Sequence, residues 1–330
     1  MKNMNRYLAL VALIISLISC QSEDNPNRYE LIPYPNDMEQ MSGYFSFDDD
    51  TQIFISPECG DEVNEILARF AEQFGKTAGK DLKIAEKEGK NMVVKIDTTM
   101  SQEAYRLNIS KKKIEITAAT PNGVRYALQT VKQLLPVAIY GETLSADENW
   151  SVPCTTINDA PRFGYRGMHL DVARHFFTLD EVKRILNVMA VHKLNTLHWH
   201  LTDDQGWRIE IEKYPRLTQI GAYRDSTQIG GWNSPLYDVN IHGGYYTRED
   251  IREIVDFAAE RHIEIVPEIE MPGHTSAAIA AYPELGSLKT PPTVATYFNP
   301  TWGVFNVADE RVIQFIQDVF DEIFDLFPSR

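Results

Sequence analysis

Apolar residues in the first half of the chain follow two spacings, and each spacing predicts a different element. Apolar-rich runs at residues 92–96, 105–109 and 113–117 predict short strands. A helix is predicted from five apolar residues that share one face: Val63, Ile66, Leu67, Phe70 and Phe74. A turn at residues 121–123 and a second helix after it are also expected. The mixture predicts a small α+β domain.

From Pro161 onward, strands alternate with longer helical stretches. Strands are predicted at residues 167–171, 195–201 and 262–267. Thr178 and Glu181 have the spacing of a capping box, which opens the helix after the first of these strands. Further helices are predicted from about residue 247 and over residues 312–327. Strand–helix–strand units imply parallel pairing, so the chain enters either a (β/α) barrel or a doubly wound sheet.

The N-terminal residues carry a targeting signal rather than part of the fold. Residues 8–18 are almost wholly apolar and follow Lys2 and Arg6, a pattern typical of a secretory signal peptide or a single membrane anchor. Ser19 and Cys20 then resemble a bacterial lipoprotein box. We therefore expect a lipoprotein signal peptide at residues 1–19, a lipid on Cys20 and a polar tether at residues 20–28. The protein would be exported as an outer-membrane or cell-surface lipoprotein, or otherwise be periplasmic.

Charge and cysteine content narrow the possible partners. The chain has 32 Lys and Arg against 47 Asp and Glu, a formal net charge of −15. Basic residues do not cluster, so a nucleic-acid partner is not expected. Besides Cys20, only Cys59 and Cys154 are present, and two buried free thiols are favoured over a disulfide.

Polar residues gather directly after each of the three later strands. The groups are Asp171 with Arg174, then Asp203 with Asp204, then Glu268, Glu270 and His274. Taken singly, each group could be a loop ion pair, a cap or a solvated side chain. The carboxyl ends of all strands meet at one mouth of a (β/α) barrel, where active sites form. Three groups at equivalent positions therefore predict one functional site.

His198 and His200 support a competing hypothesis. Side chains two residues apart point to the same face of a strand, and such pairs bind metal in zinc hydrolases. Asp203 or His274 could supply a further ligand. Inward histidines of a barrel strand can equally be hydrogen-bonded core residues, and we place the metal hypothesis second.

Four ordered segments resemble glycoside hydrolase family 20. They are residues 166–177 (RGMHLDVARHFF), 193–207 (KLNTLHWHLTDDQGW), 266–274 (VPEIEMPGH) and 299–305 (NPTWGVF). The resemblance implies an α/β protein with a small α+β domain at residues 29–155. The first part of a (β/α)8 barrel, with about three strands, would follow at residues 156–330. It also implies that the enzyme removes terminal β-linked N-acetylglucosamine or N-acetylgalactosamine with retention, in which the substrate's acetamido group is the nucleophile.

The resemblance assigns roles to four residues and implies neither a metal nor a cofactor. Arg174 would hydrogen-bond hydroxyls of the terminal sugar, and Glu270, where many members have Asp, would keep its charge near the substrate. Asp203 and His274 would form a relay that supports the catalytic acid. The partners would be oligosaccharides or glycoconjugates that contain N-acetylhexosamine, together with a membrane through the lipid anchor.

The family's catalytic Asp–Glu pair follows a His-x-Gly-Gly sequence on the fourth barrel strand, and these 330 residues contain no such sequence. We therefore expect the chain to be truncated before this motif and to have little hydrolase activity. A non-catalytic sugar-binding remnant is the remaining alternative. Three strands would also leave an open edge and expose inner apolar side chains, such as Leu170, Leu197 and Ile265, which would favour aggregation.

Overall fold

The computed structural model describes residues 29–87, 91–231, 233–288, 293–298 and 303–328. Two compact units separate between Pro161 and Arg162. The boundary thus lies beyond the expected one at residues 155/156, because the strand Ser151–Asp159 is continuous and pairs within the first unit. The expected signal peptide and tether, with Cys20, lie outside the described residues.

The first unit contains a mixed sheet and two helices. Its strands are β1 (Asp37–Ser46), β2 (Gln52–Ile55), β3 (Lys83–Ala85), β4 (Asn91–Ile96), β5 (Tyr105–Ile109), β6 (Lys113–Ala118) and β7 (Ser151–Asp159). Its helices are α1 (Gly60–Ala78) and α2 (Pro121–Leu134), with 3₁₀ turns at Pro57–Cys59 and Val137–Tyr140. Within the described residues the sheet order is β1-β7-β5-β6-β4-β2-β3. Strands β6, β4, β2 and β3 run parallel, whereas β1, β7 and β5 pair antiparallel.

The predicted helix face in this unit is confirmed. Val63, Leu67 and Phe74 of α1 are fully buried and join the sheet residues in one hydrophobic core. The predicted turn at residues 121–123 is instead the first turn of α2. Pro121 occupies the first helical position, where its missing N–H has no intrahelical partner to lose.

The second unit contains three longer parallel strands, several two-residue strands and five helices within the described residues. The strands are β8 (Gly167–Asp171), β9 (Thr196–His200), β10 (Thr202–Asp203), β11 (Gly206–Trp207), β12 (Tyr223–Arg224), β13 (Thr227–Gln228), β14 (Tyr237–Asp238), β15 (His242–Gly243) and β16 (Glu264–Glu268). The helices are α3 (Leu179–Val191), α4 (Arg216–Gln219), α5 (Arg248–Ala259), α6 (Ser276–Ala281) and α7 (Glu310–Leu326), with a 3₁₀ turn at Pro283–Leu285. Thr178 and Glu181 form the predicted capping box of α3.

Strands β16, β9 and β8 form one parallel sheet in that order, as expected for the start of a barrel. One face of this sheet is apolar and packs against α3 and α5 in a shared hydrophobic core. The expectation that Leu170, Leu197 and Ile265 lie on an exposed inner face is wrong. Leu197 is completely buried and Leu170 nearly so, because both belong to the helix-covered face. The opposite face carries His169, Asp171, His198, His200 and Glu268.

Cys59 and Cys154 are both buried. Among the described residues, no helix combines the length and apolar character needed to cross a bilayer.

Candidate functional site

The carboxyl ends of the three parallel strands place the predicted polar groups side by side. Asp171, His200 and Glu268 occupy the same register position on β8, β9 and β16. Because they fall on the same face, their side chains converge. His200 is nearly fully buried, with Nδ1 3.6 Å from Asp171 Oδ1 and Nε2 3.9 Å from Glu268 Oε1.

Arg174 lies between two carboxylates of this cluster. Its Nη1 donates to Asp171 Oδ2 at 2.9 Å, and its Nη2 lies 2.6 Å from Asp203 Oδ2. Its Nε donates to Gln205 Oε1 at 3.3 Å. Asp171 Oδ1 in turn accepts from the backbone N–H groups of Ala173 and Arg174, which fixes the loop that carries the guanidinium. Arg174 is therefore positioned by its own loop and by the loop after β9.

These contacts set the protonation of the pair. Burial opposes ionisation of Asp171, but hydrogen bonds from the backbone and guanidinium of Arg174 outweigh it and hold the carboxyl pKa below its ordinary value. Burial likewise opposes the charge on Arg174, but Asp171 and Asp203 outweigh it and raise the pKa of the guanidinium. Both groups are therefore charged across the physiological pH range, and together they form an ion pair that can bind a polar ligand.

Asp203, Asp204 and His274 form the second part of the site. Asp203 and Asp204 are almost completely buried. His274 Nδ1 hydrogen-bonds Asp204 Oδ2 at 3.1 Å and lies 3.4 Å from Asp203 Oδ1. Asp204 is itself oriented by the backbone N–H and hydroxyl of Ser276. The structure thus brings His274 to both aspartates, and Asp204 is the one that it hydrogen-bonds.

The contacts of His274 determine its tautomer. A carboxylate can only accept, so Nδ1 carries the proton and Nε2 is left to exchange one. Its backbone has φ 53°, a left-handed conformation that is uncommon for a residue other than glycine. Gly303 packs against Asp204 and Ser276, and a Cβ at this position would overlap their side chains.

The carboxyl pKa values of Glu268 and Glu270 are shifted in opposite directions although the two residues lie close together. Burial, the neighbouring Glu268 and the charge on Asp203 raise the pKa of Glu270. Burial also opposes ionisation of Glu268, but a hydrogen bond from Glu270 and the nearby histidines outweigh it and lower the Glu268 pKa. Of the two, Glu270 is therefore the carboxyl that holds a proton more readily. The expectation that Glu270 keeps its charge near the substrate stays a prediction.

The cluster lies within a recognisable domain. The description "Glycosyl hydrolase family 20, catalytic domain" matches residues 163–330, which include every residue of the site, and "Glycosyl hydrolase family 20, domain 2" matches residues 28–160. The chain belongs to glycosyl hydrolase family 20. The expected family and fold class are confirmed.

Curated relatives and solved structures agree with this family. A beta-hexosaminidase of Porphyromonas gingivalis is 36% identical over 97% of this chain and 41% of its own length. The GH20 beta-N-acetylhexosaminidase of Streptomyces coelicolor matches with a TM-score of 0.80 at 34% identity, over 92% of this chain and 58% of that one. A mutant Streptomyces plicatus beta-hexosaminidase in complex with product (GlcNAc) matches with a TM-score of 0.79 at 34% identity, over the same two shares. The chain spans about half the length of the curated relatives that it matches.

Possible metal-ligand atoms of this family 20 domain lie in three groups, which bear on the metal hypothesis. Three groups of three donors converge among the described residues: His169, His198 and Glu268; His200, Asp203 and Glu270; and Asp203, Asp204 and His274. His198 and His200 share a strand face but fall into different groups. The ligand set expected from this pair, with Asp203 or His274, is therefore not assembled.

Two buried arginines hold the site in place and were not identified from the sequence. Arg208 is fully buried, and its hydrogen bonds within the described residues go to carbonyls, among them Val172 O at 3.1 Å and Ala173 O at 2.7 Å. Arg224 donates to the backbone oxygens of Arg174 and Gln205 at 2.9 and 3.0 Å. Both lie in the irregular stretch after β9, where no periodicity marks a residue as buried.

Two aromatic residues in the irregular stretch after β9 have structural roles. Trp207 is buried and donates its indole N–H to Ile209 O, and Tyr246 is buried and donates to Phe177 O. Trp232 and Trp302, together with most of the fourth family segment, lie outside the described residues.

Proposed function

We propose that this chain supplies the sugar-binding side of a β-N-acetylhexosaminidase that removes terminal, non-reducing β-linked N-acetylglucosamine or N-acetylgalactosamine. The observation that carries the proposal is the arrangement of Arg174 between Asp171 and Asp203 at the strand ends of a family 20 domain. Its relatives include enzymes described as beta-hexosaminidases, and one similar structure contains GlcNAc.

The donor geometry of Arg174 suits a sugar diol. A guanidinium has five N–H donors, and the three contacts to Asp171, Asp203 and Gln205 engage at most three of them. One N–H on each terminal nitrogen is left, and about a third of the side chain is exposed. Two donors on a planar fork match two neighbouring hydroxyl oxygens.

We propose substrate-assisted catalysis with a proton relay through His274. In this scheme the acetamido oxygen of the sugar attacks its own anomeric carbon, so the enzyme supplies an acid and a carboxylate that orients the acetamido group. Asp203 and Asp204 hold the imidazole of His274 with Nδ1 protonated, and Nε2 exchanges a proton with the acid. The acid and the orienting carboxylate belong to the family's Asp–Glu motif, which these 330 residues do not contain. We therefore propose that they bind the sugar without hydrolysing it.

The experiment measures binding and turnover on the same purified protein. Titration calorimetry with N-acetylglucosamine should show one site per chain, and 4-nitrophenyl N-acetyl-β-glucosaminide should release no nitrophenol above background. Arg174→Ala should weaken binding at least about tenfold because buried charge-assisted hydrogen bonds are lost. Arg252→Ala, at a half-exposed site on α5, is the matched control and should bind as the wild type does.

Each contrary result has a distinct meaning. Absence of N-acetylglucosamine binding would refute the sugar-binding proposal. Robust turnover would refute the proposal that the missing pair is required, and turnover abolished by a chelator would favour the metal-hydrolase alternative.

We further propose that Cys20 anchors the exported protein to a membrane, on the basis of the apolar run and Ser19 that precede it. Cys20→Ala should move the protein from the membrane fraction to the soluble fraction or leave it unprocessed. Unchanged membrane fractionation would exclude a lipid on Cys20 as the main tether.

A further inference from the structure

Three side chains from three different strands converge on the polar face of the parallel sheet. His169 on β8 and His198 on β9 are direct neighbours in the strand register, and Glu268 lies at the end of β16. The two imidazole rings meet edge to face with centroids 4.6 Å apart. All three side chains are partly exposed, at 49%, 38% and 29%, although Glu268 Oε2 itself is buried.

The donor atoms of this group point toward one another. Glu268 Oε2 lies 2.7 Å from His198 Nε2 and 3.4 Å from His169 Nε2. The ring nitrogens and the carboxylate oxygen all lie within 4.8 Å of one another. In a tetrahedral zinc site with bonds of about 2.0–2.2 Å, neighbouring ligand atoms lie roughly 3.3 Å apart. The Glu268–His169 separation is close to this value, whereas the Glu268–His198 separation is shorter, so these two side chains would move slightly apart around an ion.

The shared carboxylate oxygen also lacks a hydrogen bond. Glu268 Oε2 is inaccessible to solvent and has no hydrogen-bond donor of acceptable geometry within the described residues, although His198 Nε2 is close. A buried carboxylate oxygen without a donor costs free energy unless a cation compensates it. A cation bound beside this oxygen and the ring nitrogens would supply that compensation.

The other two groups of donors both include Asp203, which lies beside the guanidinium of Arg174. Asp203 is paired with Arg174, and Asp204 accepts from both the hydroxyl and the backbone N–H of Ser276. A metal there would lie beside a guanidinium, which repels it. By contrast, the ion pairs of Glu268 in the described part of the chain are all with histidines, which bind metal in their neutral form.

We propose that His169, His198 and Glu268 form a binding site for a divalent transition-metal ion, with zinc as the best fit. Two imidazoles and one carboxylate are a donor set that zinc uses, with the fourth position left to water. Because each ligand comes from a different strand, the ion cross-links β8, β9 and β16. The three ligands are not themselves assigned to the sugar, although Glu268 neighbours Glu270, and the proposal does not depend on hydrolase activity.

Cobalt(II) is the probe for this site, because it replaces zinc and absorbs visible light when it is tetrahedrally coordinated. The purified protein is stripped with a chelator, dialysed and titrated with cobalt(II), and zinc(II) is titrated by calorimetry. We expect one equivalent per chain, visible bands of tetrahedral cobalt, and a rise in the unfolding temperature with zinc. His169→Ala and Glu268→Gln should each weaken binding at least about tenfold, a loss that even supporting residues of metal sites can cause.

His274→Ala is the control, since it removes the ligand of a competing group and should leave cobalt binding unchanged. Thermal unfolding of the metal-free variants verifies that they fold, and His169→Asn replaces His169→Ala if the latter does not. Absence of stoichiometric binding would overturn the proposal. So would binding that survives both ligand substitutions, or binding lost in His274→Ala. Titration of N-acetylglucosamine into the metal-free protein tests the sugar site separately, so failure of one proposal is distinguishable from failure of the other.

Discussion

The buried arginines Arg208 and Arg224 show how single residues organise this site without contacting a ligand. Within the described residues neither forms an ion pair, and both donate chiefly to backbone carbonyls. Burial and the charge of Arg224 lower the pKa of Arg208 to about 9. Burial lowers the pKa of Arg224 to about 10. They remain cations at neutral pH and fix the backbone of the loop that carries Arg174. The sequence could not show this, because their partners are carbonyls, which every residue has.

His242 is the residue that gives the second unit a predictable pH dependence. Its Nε2 accepts the backbone N–H of Phe176 at 3.0 Å, and its ring stacks on His175. Burial and then the charges of Arg224, His175 and Arg208 lower its pKa to about 4, while Asp238 acts weakly in the opposite direction. Since an unfolded histidine titrates near 6.5, the folded state binds this proton less readily than the unfolded state.

The sign of the effect follows from these two pKa values. The stability contributed by neutral His242 is present above about pH 6.5 and is lost as the pH falls toward about 4. His242→Gln can still accept from Phe176 but does not titrate, so its unfolding free energy should fall less between pH 7 and pH 4 than that of the wild type. Urea titrations at several pH values measure the unfolding free energy of both proteins. The contributions of the other titrating groups cancel in the difference between wild type and variant. Parallel pH profiles for the two proteins would contradict the assigned role.

At the scale of elements, the sequence was most informative where one local rule decides the structure. Strands β5 and β8 have the predicted ends, and α1 has the predicted buried face. Strand β16 begins two residues later than expected because His262, just after α5, has φ 57° and cannot continue a strand. The two-residue strands β10 to β15 have no periodicity long enough to predict, since tertiary hydrogen bonds such as those of Arg208 define that region.

The capping box of α3 permits a quantitative prediction. Thr178 Oγ1 accepts the backbone N–H of Glu181, and the Glu181 carboxylate accepts the N–H of Thr178. Thr178→Ala leaves the first-turn N–H without its partner and should lower the free energy of unfolding of the second unit by about 1 kcal/mol. Thr178→Ser retains the oxygen and is the matched control, expected to remain within a few tenths of a kcal/mol of the wild type. Chemical denaturation that finds equal losses in both variants would show that the cap oxygen is not responsible.

At the scale of the whole molecule, the sequence predicted the family, the fold class and the three parallel strands, but it assigned the wrong face to the sheet's apolar residues. An apolar inner barrel face predicts that Leu170 and Leu197 point toward the inside of the barrel. In the structure these residues pack under α3 and α5, whereas the opposite face carries the histidines and carboxylates of the site and of the proposed metal centre. Alternation along a strand separates the two faces, but only the position of the helices shows which face they cover. The apolar side chains expected to promote aggregation are therefore covered within the chain.

The two units have separate hydrophobic cores, and this predicts two cooperative unfolding transitions. Leu67 is fully buried in the core of the first unit, and Leu186 is fully buried in that of the second. Leu67→Ala and Leu186→Ala should each remove roughly 2–5 kcal/mol, through lost burial and the cavity left behind, from one transition only. Leu144→Ala and Leu236→Ala are the controls, since these leucines are 60% and 65% exposed and their truncation should leave both transitions nearly unchanged. Calorimetry measures the transitions, and hydrogen exchange resolved by peptide assigns each to residues 29–161 or to residues 162–328. If both core substitutions lowered one common transition equally, the two cores would unfold as a single cooperative unit and the prediction would be wrong.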